Sequence, residues 1–239
     1  MVTTIGALDS GHVTTLAESC LVRNAWICPD YVTSRRSELA QALGQHLVIT
    51  VTSVMLGVLI ALPMALLVRH SARLQFGLLA LATAVYSVPS LALFSLLLPF
   101  TGLSRATVIT GLVLYSLTIL VRNTLTGLQA VPDEVIDAAR GMGYRGTGLL
   151  WRVELPLALP TVLAGVRVAT VSTVALTTVG TVVGNGGLGD LIYAGLRSDF
   201  KAQVLAATVL CVLLAVVLDL MLLALQRSLT PWQRAVSGR

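Results

Sequence analysis

The side chains able to do chemistry are few here, and their spacing rules out most of it. The histidines His12, His46 and His70 are scattered, and none shares a nucleophile–base or metal-binding pattern with a carboxylate, serine or cysteine. Cys20 and Cys28 lack the spacing and neighbours of a zinc site; they can pair if the N-terminal tail is extracytoplasmic. Cys211 sits in an apolar run as a small core residue. The segment Gly184-Asn185-Gly186-Gly187-Leu188-Gly189-Asp190 is not a phosphate loop, since no Gly-Lys-Ser/Thr follows it and no lysine precedes Lys201. No catalytic residue, metal or bound cofactor is therefore expected on this chain.

What remains is charge and hydroxyl in apolar surroundings. Arg122, Arg167 and Asp219 stand within apolar runs, where an unpaired charge is costly. Their depths lead us to expect that Asp219 pairs with Arg122 or Arg167 and fixes helix packing. A proton relay is disfavoured, because one acid and no buried histidine are thin for it. Thr170, Thr173, Thr177 and Thr181 recur at 3, 4 and 4 residues. At about 100° per residue they form one stripe. Such a stripe either packs against another helix or lines a translocation path, and the path is the expectation for the set.

The elements that must position these groups follow from composition. The chain is 56% hydrophobic and 11% charged, against about 25% charged in a soluble domain. With a mean hydropathy of +0.87, it reads as an all-α polytopic membrane protein. The net charge of +5 comes from basic residues flanking apolar runs, so lipid is the expected partner and nucleic acid is not. No secretory signal peptide is expected. Residues 1–46 read as a polar extracytoplasmic tail, with an interfacial helix or a partly ordered segment at 37–46. Apolar runs of sufficient length for a ~30 Å core predict about five spans, near 47–68, 74–100, 106–127, 157–183 and 202–225. Pro89 falls near the middle of the second. A charged loop fills 128–156, and a basic tail closes the chain at 227–239. With five spans, Arg69, Arg73, Arg140, Arg145, Arg152, Arg227, Arg234 and Arg239 share one face, which the positive-inside rule makes cytoplasmic. The N-terminus is then outside and the C-terminus inside, in a bacterial plasma membrane.

The longest charged interval runs from Pro132 to Pro156. Pro132 suits a first helical position, and Asp133 and Glu134 favour the positive end of a helix dipole. Gly141 and Gly143 weaken that helix. A second short helix is expected from Arg145 to Val153, stopped by Pro156 and Pro160. Within the interval stand Asp137-Ala138-Ala139, three residues, Gly143, nine residues, then Val153-x-Leu155-Pro156. This resembles the "EAA" loop of permease subunits of binding-protein-dependent ABC importers, with Asp137 in place of Glu and Val153 in place of Ile. Three further runs resemble the permeases for glycine betaine, carnitine, choline and related quaternary ammonium compounds. They are Tyr86-Ser87-Val88-Pro89-Ser90-Leu91-Ala92-Leu93, Val121-Arg122-Asn123-Thr124-x-Thr126-Gly127-Leu128, and the segment Gly184 to Asp190. The last also resembles methionine permeases.

The resemblance implies a type I importer permease fold and a coupling helix that docks on an ATPase through Asp137, Ala138, Ala139, Gly143, Val153, Leu155 and Pro156. It implies two ATPase subunits, where the ATP binds, a second permease subunit, identical or paralogous, and an extracytoplasmic solute-binding protein. Gly184, Gly186, Gly187, Gly189 and Asp190 would form an outer-mouth turn. Tyr86 and Tyr115 either contact a trimethylammonium head or pack the core, and Pro89 lies beside them on the expected path. The readings kept beside an osmoprotectant importer are a methionine-type importer, an autonomous secondary transporter and, with no constellation to support it, a membrane enzyme.

Overall fold

The structure is a computed structural model that describes residues 19–232. The expected tail segments 1–18 and 233–239, with His12, Arg234 and Arg239, lie outside the described residues. Among the described residues there are helices and no strands, as an apolar surround demands of a backbone that must bond to itself.

The helices are α1 Pro29–Ser34, α2 Arg36–Val68, α3 Ala72–Ser87, α4 Ser90–Thr101 and α5 Arg105–Gln129, then α6 Asp133–Gly141, α7 Gly146–Leu149, α8 Leu155–Thr177, α9 Leu188–Arg197 and α10 Lys201–Leu229. Four helical stretches are long and apolar enough to cross a membrane: α2, α5, the continuous run 146–183 through α8, and α10. The remaining expected span, the second, is broken. α3 and α4 meet at 98°, because Pro89 holds Val88 in extended backbone (ψ 129°) and bars it from continuing the helix.

Three other boundaries differ from expectation. α2 has 33 residues, so the anticipated break between tail and span at 46/47 falls inside one helix. Pro156 and Pro160 do not stop the chain. A wider π turn over Leu150–Glu154 leads into α8, and the wider turn gives Pro156 room to enter without its ring meeting the preceding turn. The connector 184–201, expected as a glycine-rich turn, contains α9, whose Leu188, Leu191 and Gly195 face inward.

The core is built by α2, α5 and α8. α5 is the most enclosed, burying Val108, Leu112, Leu120, Val121 and Leu125. Small residues let these helices approach closely. A Cβ on Gly165 of α8 would lie 2.4 Å from the Asn123 Cβ of α5, so the crossing admits only glycine as built. α10 lies outside this trio and buries no residue of its most apolar 18-residue stretch.

At the end where α2 begins, the chain closes a small knot. Cys20 and Cys28 form a disulfide with Cα atoms 5.4 Å apart. Asn24, inside that loop, donates from Nδ2 to the Asp199 carbonyl at 2.5 Å and accepts the Lys201 N–H at 3.0 Å. It thereby serves an N–H that the start of α10 would leave unpaired. Tyr31 packs edge-on to Phe200 with centroids 5.2 Å apart. Burial raises the Tyr31 phenol above its ordinary pKa, so the ring packs as a neutral group.

The knot yields a direct test. Unfolded without reductant, the chain should accept a maleimide at Cys211 alone, and at all three cysteines after reduction. Cys20→Ser with Cys28→Ser should lower unfolding stability by about 2–3 kcal/mol, the loop-closure value for so short a ring. Labelling of all three cysteines without reductant would refute the bond.

Candidate functional site

The opposite end of the bundle carries the charged loop. α6 begins after Pro132, which is its N-cap and not its first residue, and opens on Asp133 and Glu134. Ala139 is buried against the bundle, while Asp133, Glu134, Asp137, Ala138, Arg140 and Gly141 are exposed. Asp137 pairs with Arg140 on this outer face at 3.1 Å. The helix ends because Gly143 takes φ +91°, which lets the Tyr144 N–H reach the Ala139 carbonyl at 3.0 Å. A Cβ on Gly143 would meet nothing within 4 Å, so the space over this bend is open to another surface.

Beyond the bend, Met142 and Trp151 are 72% and 60% exposed, large apolar groups left at the rim of a charged loop. Val153, Leu155 and Pro156 are half-buried where the loop re-enters the bundle. The motif thus divides into an exposed part, Asp137 to Gly143, and a part that anchors it.

The anchor is electrostatic as well. Arg69, at the end of α2, lies 3.3 Å from the Glu154 carboxylate, both side chains being largely buried. Its Nε–H also donates to His70 Nε2 at 2.8 Å. The Arg152 guanidinium lies 5.9 Å over the Tyr144 ring. A cavity of about 420 Å³ behind the loop, lined by Arg69, Arg140, Tyr144, Arg145 and Glu154 among others, leaves the loop held at its edges rather than packed along its length.

Within the bundle, Asp219 of α10 takes two hydrogen bonds from Arg167 of α8, from Nε at 2.9 Å and Nη2 at 2.8 Å. Of the two arginines expected to compete, Arg167 has the carboxylate. Arg122 is exposed on α5 and has no ion pair among the described residues. Such a two-toothed pair fixes both helices in rotation and register.

The threonine stripe lies in a packing seam. Thr170, Thr173 and Thr177 are buried, and each donates its hydroxyl to the carbonyl four residues back. Thr177 also meets Thr50 of α2 across 3.4 Å. Hydroxyls bonded to their own helix are satisfied without water, so these three can sit in a closed seam between helices. Thr181 falls beyond α8, in the 3-10 turn Thr178–Val183, and is only half-buried. Tyr115 is buried and donates its hydroxyl to the Val88 carbonyl at the α3–α4 break. Tyr86 stacks edge-on to it at 5.7 Å, and Tyr86 and Pro89 are exposed.

Sequence reasoning missed His46. It is fully buried, with Nε2 3.0 Å from the Val174 carbonyl and its backbone beneath Gly187. The expectation of no buried histidine is therefore corrected. The signal lay in its place immediately ahead of the uncharged run at 47–68.

An all-helical bundle with a pinned, exposed loop between two spans defines a polytopic permease. Residues 53–234 match the family described as the binding-protein-dependent transport system inner membrane component, and the chain belongs to that family. It is 33% identical over 209 residues to the choline transport system permease protein OpuBD of Bacillus subtilis, covering 87% of this chain and 92% of that one. It is 36% identical over 207 residues to the osmoprotectant import permease protein OsmW of Salmonella typhimurium, covering 84% and 96%. Among solved structures, an inward-facing form of the MetNI methionine ABC transporter superposes with a TM-score of 0.73 at 25% identity, covering 80% and 96%.

The ion pair generates a prediction. Asp219→Asn or Arg167→Leu alone should lower the melting temperature of the detergent-purified chain. The exchange Arg167→Asp with Asp219→Arg should recover part of the loss, giving a coupling between the two sites in a double-mutant cycle. Additive losses with no recovery would mean that the pair does not hold α8 to α10.

Proposed function

We propose that this chain is the membrane-spanning subunit of an ATP-driven importer for a compatible solute of the quaternary ammonium type, such as glycine betaine, choline, carnitine or a proline-betaine-like compound. One observation carries the mechanism: the stretch Asp137 to Gly143 stands exposed, with open space over Gly143, while Glu154 behind it is tied to α2. A protein docked there would push on α2 and α8 together. The choline and osmoprotectant permeases it resembles support the solute class.

In this reading the loop end is cytoplasmic and the knotted end extracytoplasmic. The basic residues at the loop end support that orientation, as does a disulfide at the other, since such bonds persist in oxidising compartments. The chain itself is not an enzyme. Two ATPase subunits bind and hydrolyse ATP and close on the coupling loop. A second permease subunit completes the path, and an external binding protein delivers solute and sets most of the selectivity. The structure stands for the inward-facing state, a reading supported by its likeness to inward-facing MetNI. That likeness also favours a second reading, a methionine importer.

Uptake of labelled glycine betaine at high osmolarity, with choline, carnitine and methionine as competitors, separates the two. Deletion of the gene should abolish ATP-dependent betaine uptake, with choline or carnitine competing. Competition by methionine alone would turn the assignment to the second reading. Gly143→Asp should abolish uptake and reduce copurification of the ATPase while the permease still inserts, because it places a charge at the docking bend and forces a side chain into positive φ. Normal uptake and copurification in that variant would remove the bend from the docking surface.

A further inference from the structure

His46 meets α8 where its winding changes. α8 ends at Thr177, and the chain winds on as a 3-10 turn over Thr178–Val183. Val174 lies in the last turn of α8, and His46 Nε2 donates to its carbonyl at 3.0 Å inside the bundle.

Over this bond sits the glycine turn. Gly187 has φ +57°, and a Cβ there would lie 2.9 Å from the N, Cα and Cβ of His46. Equivalent atoms on Gly186 and Gly189 would fall 2.6 Å from the Thr181 nitrogen and 2.3 Å from the Thr178 carbonyl oxygen. The Asp190 carboxylate holds the Gly186 N–H at 3.0 and 3.1 Å. The turn is therefore seated at once on α2 and on the 3-10 segment that continues α8, and His46 joins α2 to the last turn of α8 just ahead of that segment. Leu188 and Val183 are buried beside it.

We propose that His46 is a positioning residue of the extracytoplasmic gate: its bond to Val174 keeps the 3-10 turn and the glycine turn seated, and it breaks when that end opens. Apolar packing tolerates small slides between α2 and α8, whereas this bond is satisfied only in one register. Opening exposes both partners to water, which replaces the lost bond, so the bond weights the closed state without trapping it. The inference rests on the transport reading for its direction, but not for its geometry.

The test places one reporter cysteine on the turn, Asn185→Cys, in a Cys211→Ala background that keeps the Cys20–Cys28 disulfide. Ser198→Cys, on the exposed end of α9, is the reference site. A membrane-impermeant maleimide is added from outside to the chain in cells, and labelling rates are measured. His46→Phe keeps the volume and removes the donor; it should raise labelling at 185 by about fivefold, the size of one net hydrogen bond, and leave 198 unchanged. His46→Gln, whose amide nitrogen can take the place of Nε2, should label like the parent. Parent-like labelling in His46→Phe would overturn the proposal. So would an equal rise at both sites in both variants, which would make His46 a packing residue, and so would labelling of 185 from the cytoplasmic side alone. The readout needs neither solute nor ATPase, so a chain that labels as expected and transports no osmolyte would sink the transport reading and leave the latch.

Discussion

In an apolar surround a carbonyl that loses its helical partner finds no water, and this one constraint organises the irregular parts of the structure. At the α3–α4 break the Val88 carbonyl takes the Tyr115 hydroxyl. Six residues earlier, the Ala82 carbonyl takes Thr118 at 2.7 Å. Where α8 tightens, Val174 takes His46. Near the prolines of α8, the Pro160 carbonyl takes Gln226 at 3.2 Å. Each donor comes from a different helix. These backbone carbonyls are thereby also tertiary contacts, and the Val88 bond joins α5 to the α3–α4 break where the chain leaves regular winding.

The same economy separates the two ends of the bundle. At one end the ties are ionic and few, chiefly Arg69 with Glu154, and the coupling motif stands off on an exposed bend. At the other the ties are numerous and short, with the disulfide, Asn24, His46 and the glycine turn gathered on α2, α8 and α10. Between them, the Arg167–Asp219 pair and the Gly165–Asn123 crossing keep the middle in register. In the proposed mechanism, a force applied at the loop end would be carried along α2 and α8 to an end whose seating depends on register.

Much of this was legible in the sequence. Apolar runs marked the long helices, and motif spacing marked the loop, because both are local patterns. Asp219 was marked by the cost of its charge, though which arginine served it depended on helix rotation. The bend at Pro89 was half legible: a proline is visible, but whether a span kinks or turns through 98° is decided by Tyr115, which waits for the carbonyl 27 residues upstream. α9 was hidden because its glycines read as loop, although Leu188, Leu191 and Ile192 already carry helical spacing. His46 was hidden for the opposite reason. Its importance comes from a carbonyl 128 residues away, in the last turn of another helix, and no local pattern announces that meeting.

The knot at the N-terminal end has a consequence for the order in which the chain can be completed. Its sulfurs lie ahead of α2, whereas the backbone that receives Asn24, at Asp199 and Lys201, is made 175 and 177 residues later. The ring can close early, but its seat does not exist until α9 and the start of α10 have been made. A chain released before that point would carry a closed ring with Asn24 and Tyr31 unseated. Docking of the ring therefore records that synthesis has passed α9, and it ties a segment ahead of α2 to the start of α10.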